Sequence, residues 1–228
     1  MIRGKLALAS YWALFIIALL VACVVFFGAS VSKWHFRAQE GALAAHRVLA
    51  KLGFIRPLDT LMTLDQFWNI VEKVHRESGG DMDRKCELLD AELRRLSLEE
   101  VRSFHGYFDQ CQDRAYTWEL WAAAYIIGGG CSDDAFSDFR ATLVSMGRQT
   151  FELALADPQS LADMDYDADT AHYEGYQYVP TTVESDLGVG QQFPRYQPHP
   201  AEPSGKPWDE DKVAELYPKL AAKYDYNG

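Results

Sequence analysis

The chain has 228 residues, 48% of them apolar, and a formal net charge of −11. That length suits one ordinary domain with an appendage and buries a core without disulfides or a structural metal. The apolar content excludes a wholly disordered chain, and the acidic balance argues against broad nucleic-acid binding, which needs a basic footprint.

No charged residue lies between Lys5 and Lys33, and Leu6 to Ala29 is almost continuously apolar. About 20 such residues cross the hydrocarbon core of a bilayer. Residues 1–30 are therefore expected to be a single-pass transmembrane anchor, with Tyr11, Trp12 and Trp34 near its two ends, where amphipathic rings favour the interface. A cleaved signal peptide is the alternative, because Gly28, Ala29 and Ser30 are small enough for cleavage. Arg3 and Lys5 on one flank nearly balance Lys33 and Arg37 on the other, so the positive-inside rule gives no clear orientation. Cysteine use tilts the soluble part toward the cytoplasm: Cys86, Cys111 and Cys131 are odd in number and widely spaced, unlike a disulfide framework.

Residues 31–59 read as a basic juxtamembrane stalk. Lys33, Arg37, Arg47 and Lys51 suit contact with anionic lipid or, equally, a solvated extension of the anchor. Pro57 ends it. Residues 1–56 hold seven Lys or Arg and one acid, a charge of +6; residues 57–228 hold fifteen and 32, a charge of −17. The chain is thus a basic anchor and stalk joined to a strongly acidic domain, residues 60–228.

That domain reads as helix after helix. Thr63 with Gln66 makes a capping box before a stripe of Phe67, Ile70, Val71 and Val74, which ends at Gly79-Gly80. Asp83 is expected to cap a second helix with Cys86, Leu89, Leu93 and Leu96 inward. Ser97 and Glu100 make another capping box, and Val101, Phe104, Phe108, Cys111 and Ala115 step along a third helix that is expected to run to Ile127. Gly128, Gly129 and Gly130 break it. Ser132 or Asp133 caps the next, with Phe136, Phe139 and Leu143 as its stripe, and Gly147 bends or breaks that one. Asp157-Pro158 stops whatever follows. The best strand candidate is Tyr176 to Val179. Residues 188–208, with five prolines from Pro194 onward, read as an extended arm across the surface or a linker. A last helix opens at Trp208-Asp209 and docks through Val213, Leu216, Leu220 and Tyr224. The fold expected is mainly α: a transmembrane helix, then a compact helical domain with a Pro-rich arm and a docked C-terminal helix.

The run DRAYTWELWAAAYIIGGGCSDDAFSDFRATLVSMG, Asp113 to Gly147, resembles a bacterial family known as domain of unknown function 4240. LDQFWNIVE (Leu64 to Glu72), LRRLSLEEVRSFHGYFD (Leu93 to Asp109), FELALADPQSLADM and, more weakly, PWDEDKVAELYPKLAAKY extend the resemblance over about residues 62–226, with the membrane anchor as an addition. It implies a mostly helical domain in a bacterial protein and no particular activity. With the anchor, it places the chain in the bacterial cell membrane.

The densest polar cluster surrounds the glycine break: Asp113, Arg114, Tyr116, Trp118 and Trp121 before it, Ser132, Asp133, Asp134 and Arg140 after it. One reading is structural, with Asp113, Arg114 and Asp134 forming an ion-pair network under the turn. The other is a partner-binding surface, since aromatic rings beside arginine and carboxylates are typical interface anchors. Other constellations are weaker. The glycine run lacks the lysine of a P-loop. Cys131 at a helix start reads as a buried, inert thiol. Asp163, Asp165, Asp167, Asp169 and Glu174 alternate like a calcium loop, but Ala168 stands where the loop needs glycine. No metal site, cofactor or catalytic residue is expected.

Three functions remain. The first is a membrane-anchored, non-catalytic protein whose acidic domain engages a basic protein partner, a toxin-neutralising immunity protein being one version, held to lipid through residues 6–29 and the stalk. The second is an enzyme with a site around Asp113, Arg114, Asp133 and Asp134. The third is a membrane scaffold.

Overall fold

The computed structural model describes residues 62–164, 170–190, 195 and 198–226. The anchor, the stalk and residues 165–169, with Asp165, Asp167 and Asp169 of the acidic loop, lie outside the described residues. Among the described residues no helix is long and apolar enough to cross a membrane.

Local signals set the helix starts. Helix α1 (Leu64–Ser78) opens on the Thr63–Gln66 capping box and closes on Gly79 at φ 63°. There glycine takes the left-handed turn at no steric cost. Helix α2 (Met82–Leu93) is capped by Asp81, whose carboxylate accepts from the Arg84 N–H at 2.7 Å. The expected cap, Asp83, lies instead in the first turn and accepts from the Tyr173 hydroxyl. Helix α3 (Leu98–Arg114) opens on the Ser97–Glu100 box. Its stripe residues Val101, Phe104, Phe108 and Cys111 are buried, and so is Ala115 just past its end.

The expected run to Ile127 is corrected. Helix α3 stops at Arg114, and α4 (Trp118–Gly128) starts afresh. Thr117 between them is extended, and its hydroxyl accepts from the Leu120 N–H at 3.1 Å. Gly129, at φ 63°, closes α4. Ser132 caps α5 (Asp133–Ser145), and α6 (Arg148–Ala156) follows Gly147 at φ 93°. Asp157 then caps a 3-10 turn, Pro158–Asp163.

The strand expected at Tyr176–Val179 is also corrected. Glu174–Gln177 is a 3-10 turn, and α7 (Tyr178–Leu187) continues from it. Pro180 sits in the first turn of α7, where the backbone N–H that proline lacks has no helical partner to lose. The described residues contain no strand, only one isolated bridge between Thr117 and Ser204. The final helix is broken in two, α8 (Val213–Leu216) and α9 (Pro218–Lys223), with Pro218 starting the second piece. Val213 and Leu220 are buried and dock the tail, whereas Leu216 is exposed.

Helix α1 packs on α2, α3 and α5; α7 packs on α3 and α2; α8 and α9 pack on α4. The core they enclose is rich in rings, with Phe67, Trp68, Phe104, Phe136, Phe139, Phe151 and Tyr176 fully buried. One residue is held against its preference. Val189, after α7, is 93% exposed and has φ 56°, a region that a β-branched side chain disfavours by about 1–2 kcal/mol. Val189→Gly is expected to raise the unfolding free energy by about 1 kcal/mol, after allowing for the greater freedom of glycine in the unfolded chain. A urea titration measures it.

Candidate functional site

The break between α3 and α4 organises the polar cluster. With Tyr116 and Thr117 out of the helix, the Tyr116 carbonyl and the Trp118 N–H, on either side of Thr117, are left to pair with the arm. Ser204 N–H donates to the Tyr116 carbonyl at 3.0 Å, and Trp118 N–H donates to the Ser204 carbonyl at 2.8 Å. Gly205 follows at φ 91°, and a Cβ there would run into the Glu119 carboxylate. That carboxylate ends an exposed side chain and can swing aside. The cost of Gly205→Ala is therefore mainly backbone strain, expected at about 1–2 kcal/mol of unfolding free energy in a thermal or urea melt.

On the same side, rings stack in sequence. Trp118 lies on Trp121 with centroids 5.3 Å apart and planes 9° apart; Trp121 lies on Phe136 at 4.8 Å and 13°. The Trp121 indole N–H donates to the Cys131 carbonyl at 3.0 Å. Arg140, only 3% exposed, places its guanidinium over the Phe136 and Tyr116 rings, 5.0 and 4.6 Å from their centroids. It donates to the carbonyls of Gln112 (2.9 Å) and Phe136 (3.3 Å). Burial lowers its pKa to about 10, so it stays charged at neutral pH. It ties α5 to the end of α3. Tyr116 is buried too, and its hydroxyl donates to Asp133 at 3.4 Å.

The expected ion-pair network under the glycine turn does not form, because neighbours on a helix point about 100° apart. Asp113 accepts from Arg195 (3.1 Å) and pairs with His199 (2.9 Å), both from the arm. Arg114 faces the other way and makes a two-pronged bond with Glu152 of α6, at 2.9 and 2.7 Å. Asp134 is exposed in the first turn of α5. Asp113, Arg114 and Asp133 therefore take separate partners and do not converge with Asp134 on one point. Ser132 is occupied as the cap, accepting from the Ala135 N–H at 3.2 Å. The structure thus brings Asp113, Tyr116, Trp118, Trp121, Asp133 and Arg140 to one side and sends Arg114 elsewhere.

Sequence reasoning missed Phe136 as the floor of this stack, and Asp109, Arg195 and His199 as its neighbours. Arg195 bonds Asp109 at 2.9 Å as well as Asp113, and the His199 ring lies 5.0 Å from that of Tyr116. The spacing of Asp109 and Asp113, one turn apart on α3, was the available signal. Nothing local indicated that the arm would return to them.

The Cys131 thiol is pushed up to about 12 by burial, and that of Cys111 likewise, so neither is a thiolate at neutral pH. Among the described residues no three His, Cys, Asp or Glu side chains are grouped to hold a metal.

These features define an all-helical acidic domain with a half-buried aromatic face beside carboxylates. Residues 62–183, more than half of the chain, match the family described as Protein of unknown function (DUF4240), and the chain belongs to that family. The match ends before the Pro-rich arm and the closing PWDEDKVAELYPKLAAKY segment. No curated protein and no solved structure matches the chain.

Proposed function

We propose that the chain is a single-pass protein of the bacterial cell membrane whose acidic helical domain binds a basic protein partner. The observation that carries this reading is the Trp118–Trp121 stack, half-buried at the rim of the domain beside the exposed Asp133 and Asp134. Half-buried tryptophans next to charged groups are the side chains that anchor interfaces, and a charge of −17 over residues 57–228 speeds encounter with a basic surface. Arg140 and Tyr116 are too buried to meet a partner directly and support the stack from below. Residues 6–29 hold the protein in lipid, the basic stalk rests on the anionic headgroups, and the acidic domain lies on the cytoplasmic side.

A toxin-neutralising immunity protein is one concrete form of this function. The anchor then places the inhibitor where its toxin arrives. The test is co-purification of the full chain in detergent with the product of the neighbouring gene. Wild type retains that protein; Trp118→Ala with Asp133→Asn loses it at least tenfold at unchanged helicity. Capture of no protein by the wild type, or equal capture by the double variant, counts against the reading. A reporter fused to the C-terminus checks the side of the membrane.

A further inference from the structure

Helices α3 and α7 meet along a line of polar side chains that the aromatic face does not use. His105 enters from α3. Thr181 and Glu184, one turn apart, enter from α7. The Nδ1 of His105 is hydrogen-bonded to the Glu184 carboxylate. Its Nε2 lies 3.4 Å from the Thr181 hydroxyl and 3.8 Å from Asp109 Oδ1. Glu184 is buried and is also approached by Arg102, Nε to Oε1 at 3.4 Å. Thr181 is exposed.

The order of these groups has chemical content. A carboxylate on Nδ1 favours the tautomer that carries its proton there, and in that tautomer the lone pair of Nε2 faces the hydroxyl, with the Asp109 carboxylate beside it. Holding two helices together needs only the carboxylate–imidazole pair. A hydroxyl on the second nitrogen, open to solvent, adds a nucleophile to a base that is already oriented.

We propose that Thr181, His105 and Glu184 form a hydrolytic site for small, unhindered carboxylic esters. Thr181 Oγ1 attacks the ester carbonyl carbon while its proton passes to His105 Nε2. The carbon–oxygen bond to the alcohol breaks, and the alcohol leaves with that proton. The acyl group is now an ester of Thr181. Water then attacks this ester, giving one proton to Nε2. The acid departs as the proton returns to Thr181 Oγ1. Glu184 is a positioning residue, which holds the ring and stabilises its charged form during both steps. The site lies apart from the Trp118–Trp121 face, so its failure leaves the binding reading untouched.

The experiment is hydrolysis of 4-nitrophenyl acetate by the full chain in detergent micelles. Wild type is expected to release 4-nitrophenolate at least about 100-fold faster than Thr181→Ala, the order of effect of a positioned base. Thr181→Ser restores most of the rate. Glu184→Gln lowers kcat about tenfold or more with KM unchanged, a split that loss of fold would not give. After a brief quench, mass spectrometry finds one acetyl group on the peptide that contains Thr181. Thr181 is exposed, so its alanine variant keeps the fold, and circular dichroism verifies this. Equal rates for wild type and Thr181→Ala, a wild-type rate no faster than buffer, or an acetyl group on another residue overturns the proposal.

Discussion

Replacing Phe136 by alanine lowers the unfolding free energy by about 3–5 kcal/mol, the usual cost of emptying a fully buried phenylalanine site. The ring is 0% exposed, and its neighbours are not able to close the gap cheaply. Trp121 lies flat on it, Phe139 and Tyr116 flank it at 6.3 and 6.0 Å, and the Arg140 guanidinium lies over it. Alanine removes the floor of the tryptophan stack and one of the two rings that shelter a buried cation. Phe136→Leu keeps most of the volume and loses the stacking, so its cost is expected at about 1–2 kcal/mol. Urea titrations of the two variants check the order. Near-ultraviolet circular dichroism checks that the Trp121 signal collapses in the alanine variant. A loss below about 1 kcal/mol for Phe136→Ala contradicts the packing described.

Lys85 gives the second large effect, and it is a pH effect. The side chain is 2% exposed on α2, and its ammonium donates to Ser145 Oγ at 3.0 Å near the end of α5. Ser145 in turn donates to the Thr142 carbonyl at 2.6 Å. Burial lowers the Lys85 pKa from 10.5 to about 8. The unfolded chain therefore binds more protons than the folded one between pH 8 and pH 10.5. Stability rises with pH across that window and carries a constant penalty below it. The difference amounts to about 3 kcal/mol in full. Lys85→Met removes this titration. Wild type is expected to gain about that much relative to the variant as pH rises from 8 to 10.5. At pH 7 the variant is expected to be the more stable by about 1–2 kcal/mol, since methionine fills the space without a buried charge while Ser145 keeps its bond to Thr142. Parallel melts of the two proteins across the range read the difference, and curves that stay parallel contradict it.

Much of the helical frame was legible because its signals are local. The capping boxes at Thr63 and Ser97 each span four residues, and Gly79 and Gly129 stop helices through their own φ angles. Such features act before any tertiary contact exists. The misread elements each depend on a distant partner. Helix α3 stops at Arg114 in the company of Ser204, which pairs with the exposed backbone of the break. Tyr176–Val179 looked like a strand from its aromatic and β-branched residues, yet Tyr176 is buried in a 3-10 turn that packs on α5. Asp113 and Arg114 looked like partners and found different ones, because the arm and α6 approach α3 from different sides.

The amino-acid sequence by itself determined the helical class of the domain, most of its helix starts, its family and the division of charge between a basic first quarter and an acidic remainder. Each of these rests on neighbours in the chain or on composition. The tertiary structure alone decided where α3 ends, that residues 178–187 are helical, which side chains floor the tryptophan stack, and that His105 meets Thr181 and Glu184. Those last three are 76 and 79 positions apart in the chain. No periodicity or motif spans such a distance, and only the packing of α7 on α3 brings them within hydrogen-bond reach.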